Sequence, residues 1–366
     1  MALSVIATIV LQEMSARLGL VSNKGLSEVI TQEITNPLFR NIVIVLILSA
    51  IVIGNAAYEA GNISGGVLGL EAVFGEKFFL IRDLKINLYS IILGLIAFYL
   101  LYKGNYKIIE RSLILLVIIM SLSFIITAVI TKPNLQDLFK GLFIPNFPDG
   151  SILIIVGLIG TTVVPYNLFL HASLVKERWN NESDLKYATN DTIVSVILGG
   201  FVSMCIIISS ASLNIDTINN ASDLAKGIEP LYGTYSKYIL AIGLFSAGIT
   251  SAITAPLAAS YVAAGCLGWS SNMKGKKFRL VWIFILLIGV ISSSLGYKSI
   301  DIIKFAQVAN GILLPVIAAF LIWIVNKDSI LGKHKNSKSQ NIIGFTILVI
   351  TIFLGLKSIL KVFEFL

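Results

Sequence analysis

One stretch of the chain gathers residue types that could handle a cation: Gly160-Thr161-Thr162-Val163-Val164-Pro165-Tyr166-Asn167-Leu168-Phe169-Leu170-His171. Proline has no N–H, so Pro165 leaves the carbonyl of Thr161, four residues earlier, without its helical partner. In hydrocarbon a freed carbonyl must be met by water, a neighbouring helix or an ion. A helix broken at mid-membrane is how many secondary transporters build the seat of their cargo. An ordinary proline kink, which spanning helices tolerate, is the structural alternative. Glu59 stands beside Asn55 and Tyr58 in a second apolar run. A carboxylate there is a candidate proton relay or cation contact; a water-facing residue of an outer vestibule is the alternative. Gln307 and Asn310, placed on a helix before Pro315, can either line a cavity or bond across helices. His171 and Asp191 fall toward the inner ends of their segments, where a solvated position competes with a buried relay.

Such residues need elements that cross a bilayer, and the composition supplies them. Of 366 residues 56% are apolar and only 13% charged, far too little charge to cover a soluble surface of this size. That excludes a soluble enzyme, a disordered chain and a disulfide-stapled secreted domain. Apolar runs long enough to span, about 20 residues each, are read near 42–69, 88–102, 112–130, 151–176, 188–212, 236–268, 280–297, 302–325 and 341–362. Lys132-Pro133-Asn134 and Ile144-Pro145-Asn146-Phe147-Pro148 mark breaks. Met1 to Leu11 is apolar but too short to span alone before Gln12, Glu13 and Arg17 interrupt. It fits a signal peptide poorly and reads as a helix whose partner has been lost. Counting it gives ten helices. Gly61, Gly65 and Gly69 recur every four residues and predict a smooth face for helix packing.

The net charge of +8 does not point to nucleic acid, because the basic residues sit in short clusters between apolar runs. With alternate connections assigned to the cytoplasm, 17 of the 28 lysines and arginines fall inside. Trp179, Trp269, Trp282 and Trp323 all land at the inner ends of helices, the headgroup level that indoles favour. No nucleotide-cradling G-x-x-x-x-G-K-[ST], no G-x-G-x-x-G and no H-E-x-x-H occurs, so no ATP use is expected and transport would run downhill or on an ion gradient. His171 and His334 cannot form a two-histidine metal site, since His334 sits in a lysine-rich loop. Cys205 and Cys266 lie in apolar segments without metal-ligand spacing and read as small buried side chains.

Three segments together resemble the NRAMP family of divalent metal transporters. Gln12-Glu13-Met14-Ser15-Ala16-Arg17-Leu18-Gly19 resembles the end of the family's second helix. Gly160 to His171 resembles the sixth, whose motif reads Met-Pro-His-Asn-Leu-Tyr-Leu-His, and Gln307-Val308 with Leu314-Pro315 resembles the tenth. The resemblance runs over essentially the whole chain. It implies an all-α polytopic membrane protein of leucine-transporter-like inverted-repeat fold, made of family helices 2 to 11. The repeats would be an incomplete first over 1–130 and a second over 151–325, with an extra helix at 341–362.

It further implies a secondary transporter of divalent cations, Mn²⁺- or Fe²⁺-type or Mg²⁺, with protons as a coupled ion, no cofactor, and a bacterial or archaeal cell membrane as its place. Carried over by position, Thr161 would offer its backbone carbonyl and Gln307 a side-chain oxygen to the metal, with Val164, Tyr166 and Asn167 lining the seat. His171 would match a histidine linked to proton movement, joined by Glu59. The departures bear on selectivity. Val164 and Tyr166 replace the motif's methionine and first histidine, and a valine offers no thioether for soft metals. The family's first helix, with its Asp-Pro-Gly-Asn metal site, has no counterpart because the chain starts in the second. Two alternatives remain at this level: a truncated or divergent protein of the same fold that does not transport, and a transporter of an organic solute.

Overall fold

The computed structural model describes the chain apart from residues 82–83, 105–106, 145, 147, 149, 180, 214–219 and 363–366. Pro145 and Phe147, which mark one of the breaks read from the sequence, lie outside the described residues. The helices in chain order are α1 (Ala2–Ser22), α2 (Leu26–Glu33), α3 (Pro37–Phe74), α4 (Leu88–Lys103), α5 (Lys107–Ile130), α6 (Leu135–Phe143), α7 (Ile152–Thr162) and α8 (Pro165–Arg178). They continue with α9 (Leu185–Ala211), α10 (Ala221–Ala225), α11 (Glu229–Tyr232), α12 (Ser236–Leu267), α13 (Lys276–Ser294), α14 (Ser299–Val325), α15 (Asp328–Leu331) and α16 (Lys338–Val362). Among the described residues nine helical stretches are long and apolar enough to cross a bilayer, α7 and α8 counting together, and α4 is a shorter apolar tenth.

The ends of these helices follow their local chemistry. Asn36 caps α3 by accepting from the N–H groups of Leu38 and Phe39, with Pro37 at the first helical position. Asn87 caps α4 through the N–H of Tyr89, and Gly104 closes it at φ 65°. Between α3 and α4 the chain forms an antiparallel hairpin of β1 (Phe78–Ile81) and β2 (Leu84–Asn87), in which Phe78 pairs with Asn87. This hairpin departs from an all-helical reading. At four residues per strand it is too short for the periodicity of 2 to stand out beside the apolar runs.

The first helix corrects the sequence reading more sharply, for α1 runs 21 residues straight through Gln12, Glu13 and Arg17. Glu13 and Arg17 lie one turn apart and pair bidentately at 3.0 Å on both branches. Arg17 also donates to the carbonyl of His334 at 2.6 Å and to Asn336 Oδ1 at 2.7 Å. Its charge is thus buried but fully answered, and the interrupting residues become interior ties rather than a stop.

The core sits where α3 crosses α12. A β-carbon on Gly248 would stand 2.6 Å from Gly66 Cα, so only glycine lets the two backbones meet there. Of the expected glycine face, Gly61 packs against Ala306 and Gly69 against the carbonyl of Ala241, but nothing lies within 4 Å of Gly65. A four-residue repeat drifts around a helix of 3.6 residues per turn, so one straight face cannot serve all three. Pro315 does not end its helix, since α14 passes through it to Val325.

Loops after alternate spanning helices gather at one end. Arg17 reaches His334 and Asn336, Glu182 meets Lys333 and His334, Lys176 donates to Asn23, and Arg279 reaches Tyr102. Trp179, Trp269 and Trp323 stand there under Arg178, Lys277 and Lys327. Trp282 does not join them. It is 1% exposed, against Phe98 in the core, because its side of α13 turns toward α4 rather than toward lipid.

Candidate functional site

The helix over Gly160–His171 is broken, with α7 ending at Thr162 and α8 starting at Pro165. Val163 and Val164 between them are non-helical, at ψ 77° and ψ 121°. Steric conflict between proline and the residue before it drives that extended turn. Val163 still donates to Ile159 at 2.8 Å, and the Thr162 carbonyl accepts from Thr8 Oγ1 of α1 at 3.2 Å. The Thr161 carbonyl has no donor among the described residues, and Thr161 itself is exposed.

Glycines press this break onto α14. A β-carbon on Gly160 would collide with the carbonyl of Gln307 and stand 2.6 Å from Gly311 N, and one on Gly311 would reach the carbonyl of Val156 at 2.5 Å. Two of the expected ligands, Thr161 and Gln307, are therefore on touching turns of neighbouring helices. Gln307 Oε1 is buried and accepts no hydrogen bond among the described residues, and Asn310 Nδ2 one turn later is likewise unpartnered. Asn310 is buried and Gln307 half-buried, each with one polar atom left without a partner among the described residues.

Tyr166 and Val164 are both buried beside the break. Tyr166 meets Tyr58 of α3 edge-on, ring centroids 5.2 Å apart. The Tyr58 hydroxyl stands near Tyr166 and the Gln307 amide without reaching hydrogen-bond geometry to Gln307 Oε1. Tyr58 was not among the residues singled out as lining the seat. The polar atoms on offer here are a peptide carbonyl, an amide oxygen and two phenol oxygens. Oxygen donors suit hard cations, and a thioether stands by the same break, Met1 Sδ at 3.7 Å from Thr162 Oγ1.

Glu59 is fully buried, not a vestibule residue facing water. Its Oε2 accepts from Asn62 at 3.3 Å, and its Oε1 has no donor among the described residues. Its side chain fills the hollow over Gly289 of α13, where a β-carbon would strike it. Glu59 is near enough to Tyr166 to act on it electrostatically. It is the one carboxylate buried among the described residues, which also hold no cluster of three or more His, Cys, Asp or Glu.

His171 and Asn167 lie elsewhere. With Gln12, Leu170 and Leu174 they line a cavity of about 250 Å³ between α1 and α8. The His171 ring meets Thr192 Oγ1 of α9 at 3.1 Å. No hydrogen bond or ring contact among the described residues joins His171 to Glu59, so the two expected proton-path residues occupy different walls. Asp191 is 41% exposed and pairs with Arg178 at 3.0 Å, which removes it from any buried relay. Gln12 is the cavity residue that sequence reasoning passed over, because its neighbours mark it only as a polar interruption. Cys205 and Cys266 are buried and free, away from both regions.

Known proteins share this fold. A divalent metal cation transporter MntH from Staphylococcus haemolyticus is 26% identical over 388 aligned positions, covering 99% of this chain and 84% of the relative. The natural resistance-associated macrophage protein 2 homolog of Dictyostelium discoideum is 26% identical, over 97% of this chain and 57% of its own length. Crystal structures of single-site mutants of a manganese transporter from Eremococcus coleocola superpose with a TM-score of 0.75 at 17% identity, over 98% of this chain and 80% of one of them. The architecture is accordingly the leucine-transporter-like one, in a multi-pass membrane protein that is not an enzyme. The family profile described as natural resistance-associated macrophage protein-like matches residues 1–361, and the chain belongs to the Nramp family.

Proposed function

We propose that this protein is a secondary transporter of divalent metal cations whose seat is the break between α7 and α8, faced by α14 and α3. The observation that carries this reading is Gln307 Oε1, buried without a donor among the described residues, on a turn that touches the one carrying the freed Thr161 carbonyl. Buried polar atoms are nearly always paired, and a lone oxygen beside a helix break is what a transported cation would complete. Thr161 and Gln307 act as ligands, Val164 and Tyr166 line the seat, and Asn167 stands on the separate cavity wall with His171. The relatives named as divalent metal cation transporters support the substrate class.

The oxygen donors at the break suit a hard ion, Mn²⁺ or Mg²⁺, although the Met1 thioether stands 3.7 Å from Thr162 Oγ1 on the same turn. A divalent charge at this depth needs a negative partner, and Glu59 is the nearest buried carboxylate to Tyr166. It accepts and releases a proton as the metal arrives and leaves, which couples transport to protons. His171, on the wall of the separate cavity, is a second proton-handling group on the side of the loop end that holds the clustered cations. The chain divides into a first repeat over 1–130, a second over 151–325 and an added helix at 341–362.

The test is uptake into proteoliposomes of the purified full chain, loaded with an ion-sensitive dye and offered Mn²⁺, Mg²⁺ or Cd²⁺ in turn. Saturable entry of Mn²⁺ or Mg²⁺ that disappears in Gln307→Leu is the expected result. Entry of none of the three by the parent protein overturns the proposal.

A further inference from the structure

Four cations at the crowded end of the bundle have acidic partners. Arg17 pairs with Glu13, Arg178 with Asp191, Lys333 with Glu182, and Lys335 with Asp328. One corner stands out because its own helices hold no acid. Lys103 at the end of α4, Lys274 in the loop before α13, and Lys276, Lys277 and Arg279 in the first turn of α13 form no ion pair among the described residues. No Asp or Glu occurs anywhere in residues 88–104 or 236–300, so neither α4, α12 nor α13 can supply one. The start of α13 has no side-chain cap and no acid in its first turn, and three cations stand there instead. The positive end of the helix dipole makes that arrangement unfavourable until an anion arrives.

The cations are nevertheless held in place. The Arg279 guanidinium lies 4.4 Å over the Tyr102 ring, and Lys277 and Lys103 sit over Trp269 and Tyr99 at 5.0 and 5.7 Å. Ring contacts of this kind orient a cation without neutralising it. Arg279 Nε is shielded and has no acceptor, and its Nη2 makes only a long 3.5 Å contact with the Tyr102 carbonyl. Most of the guanidinium fork is therefore open to a bidentate acceptor such as a phosphate. Below the cluster α4 and α13 present exposed apolar side chains, Leu95 and Phe98 on one and Leu280, Phe284 and Leu287 on the other. A wall of that kind, with cations at its rim, has the shape of a lipid: anion above, acyl chains beneath.

We propose that this α4–α13 corner is a binding site for the headgroup of an anionic phospholipid such as phosphatidylglycerol. Its phosphodiester lies between Arg279, Lys277 and the start of α13, and its chains run down the apolar wall. Basic pockets between spanning helices take such headgroups through the same pairing of charge. The apolar wall distinguishes a lipid from a free phosphate ion, which would use the cations alone.

Native mass spectrometry of the detergent-solubilised full chain, titrated with phosphatidylglycerol and with phosphatidylcholine, reads the preference directly. We expect phosphatidylglycerol to be retained about tenfold more tightly, equivalent to about 1.4 kcal/mol, and Lys277→Gln with Arg279→Gln to bring the ratio close to one. Lys237→Gln with Lys357→Gln, on α12 and α16 away from this corner, should leave the ratio unchanged. If the first pair unfolds the protein, Lys276→Gln with Lys277→Gln, both exposed, reports the same loss in smaller measure. Inorganic phosphate at equal concentration should not displace the lipid. Equal retention of the two lipids, a preference that survives the α13 substitutions, or full displacement by inorganic phosphate overturns the site.

Discussion

A buried amide oxygen without a donor costs about 1–3 kcal/mol, so Gln307 is maintained at some expense to the fold. Replacing it by leucine should therefore leave the protein as stable or slightly more so, while the apparent affinity for Mn²⁺ falls about tenfold or more; thermal unfolding and uptake kinetics on one preparation read both. A purely structural glutamine would show neither the stability gain nor the selective loss. Val164 offers the complementary change. Val164→Met places a thioether beside the Thr161 carbonyl, and binding of Cd²⁺ relative to Mg²⁺ should rise, as calorimetry on the purified variant would register. Unchanged relative affinities would move Val164 away from the ion. Glu59 has a carboxylate with one oxygen unanswered and no cation paired with it. Glu59→Gln keeps the shape and the Asn62 contact, so metal entry should persist but no longer quicken under an inward proton gradient.

The helix break depends on two separate devices. Pro165 denies α8 a donor at its start, and Gly160 lets α7 lie directly on α14. Gly160→Ala inserts a methyl group into the carbonyl of Gln307, and overpacking of this kind costs about 1–3 kcal/mol. Because the displaced turn carries Gln307, uptake should fail before folding does; a variant that unfolds less readily than the parent yet transports normally would count against the close approach. Pro165→Ala removes the covalent reason for the break but not the packing that surrounds it. Pro256 and Pro315 lie inside α12 and α14 without separating them into two helices. A proline is thus permissive rather than decisive, and which prolines open a helix is settled by the neighbours that receive the two halves.

Across the whole molecule, charge inside the bundle is confined to Arg17 and Glu59 among the described residues. They behave oppositely. Arg17 is saturated by Glu13, His334 and Asn336 and ties α1 to the segment before α16. Arg17→Ala leaves Glu13 and those acceptors without their donor, and a loss of about 3 kcal/mol is expected, seen as a lower unfolding midpoint in detergent. Glu59 has no such saturation, which is the mark of a group that exchanges something rather than one that holds helices together.

The sequence by itself determined the membrane class and the ten spans, because those follow from run length and charge spacing, and it marked Pro165 as a break or a kink through one missing N–H, a choice that the structure decided. It also marked Thr161, Gln307 and Glu59, since polar atoms in apolar runs stand out without any knowledge of neighbours. Only the tertiary structure decided that Thr161 and Gln307 share a wall, that Tyr58 joins Tyr166 there, and that His171 opens on a separate cavity with Gln12. Those depend on contacts between residues more than a hundred positions apart, which helix periodicity does not encode. The unbroken α1, the buried Trp282 and the uninterrupted Pro315 escaped the sequence for the same reason: whether a polar or kinking residue is tolerated depends on the partner that meets it.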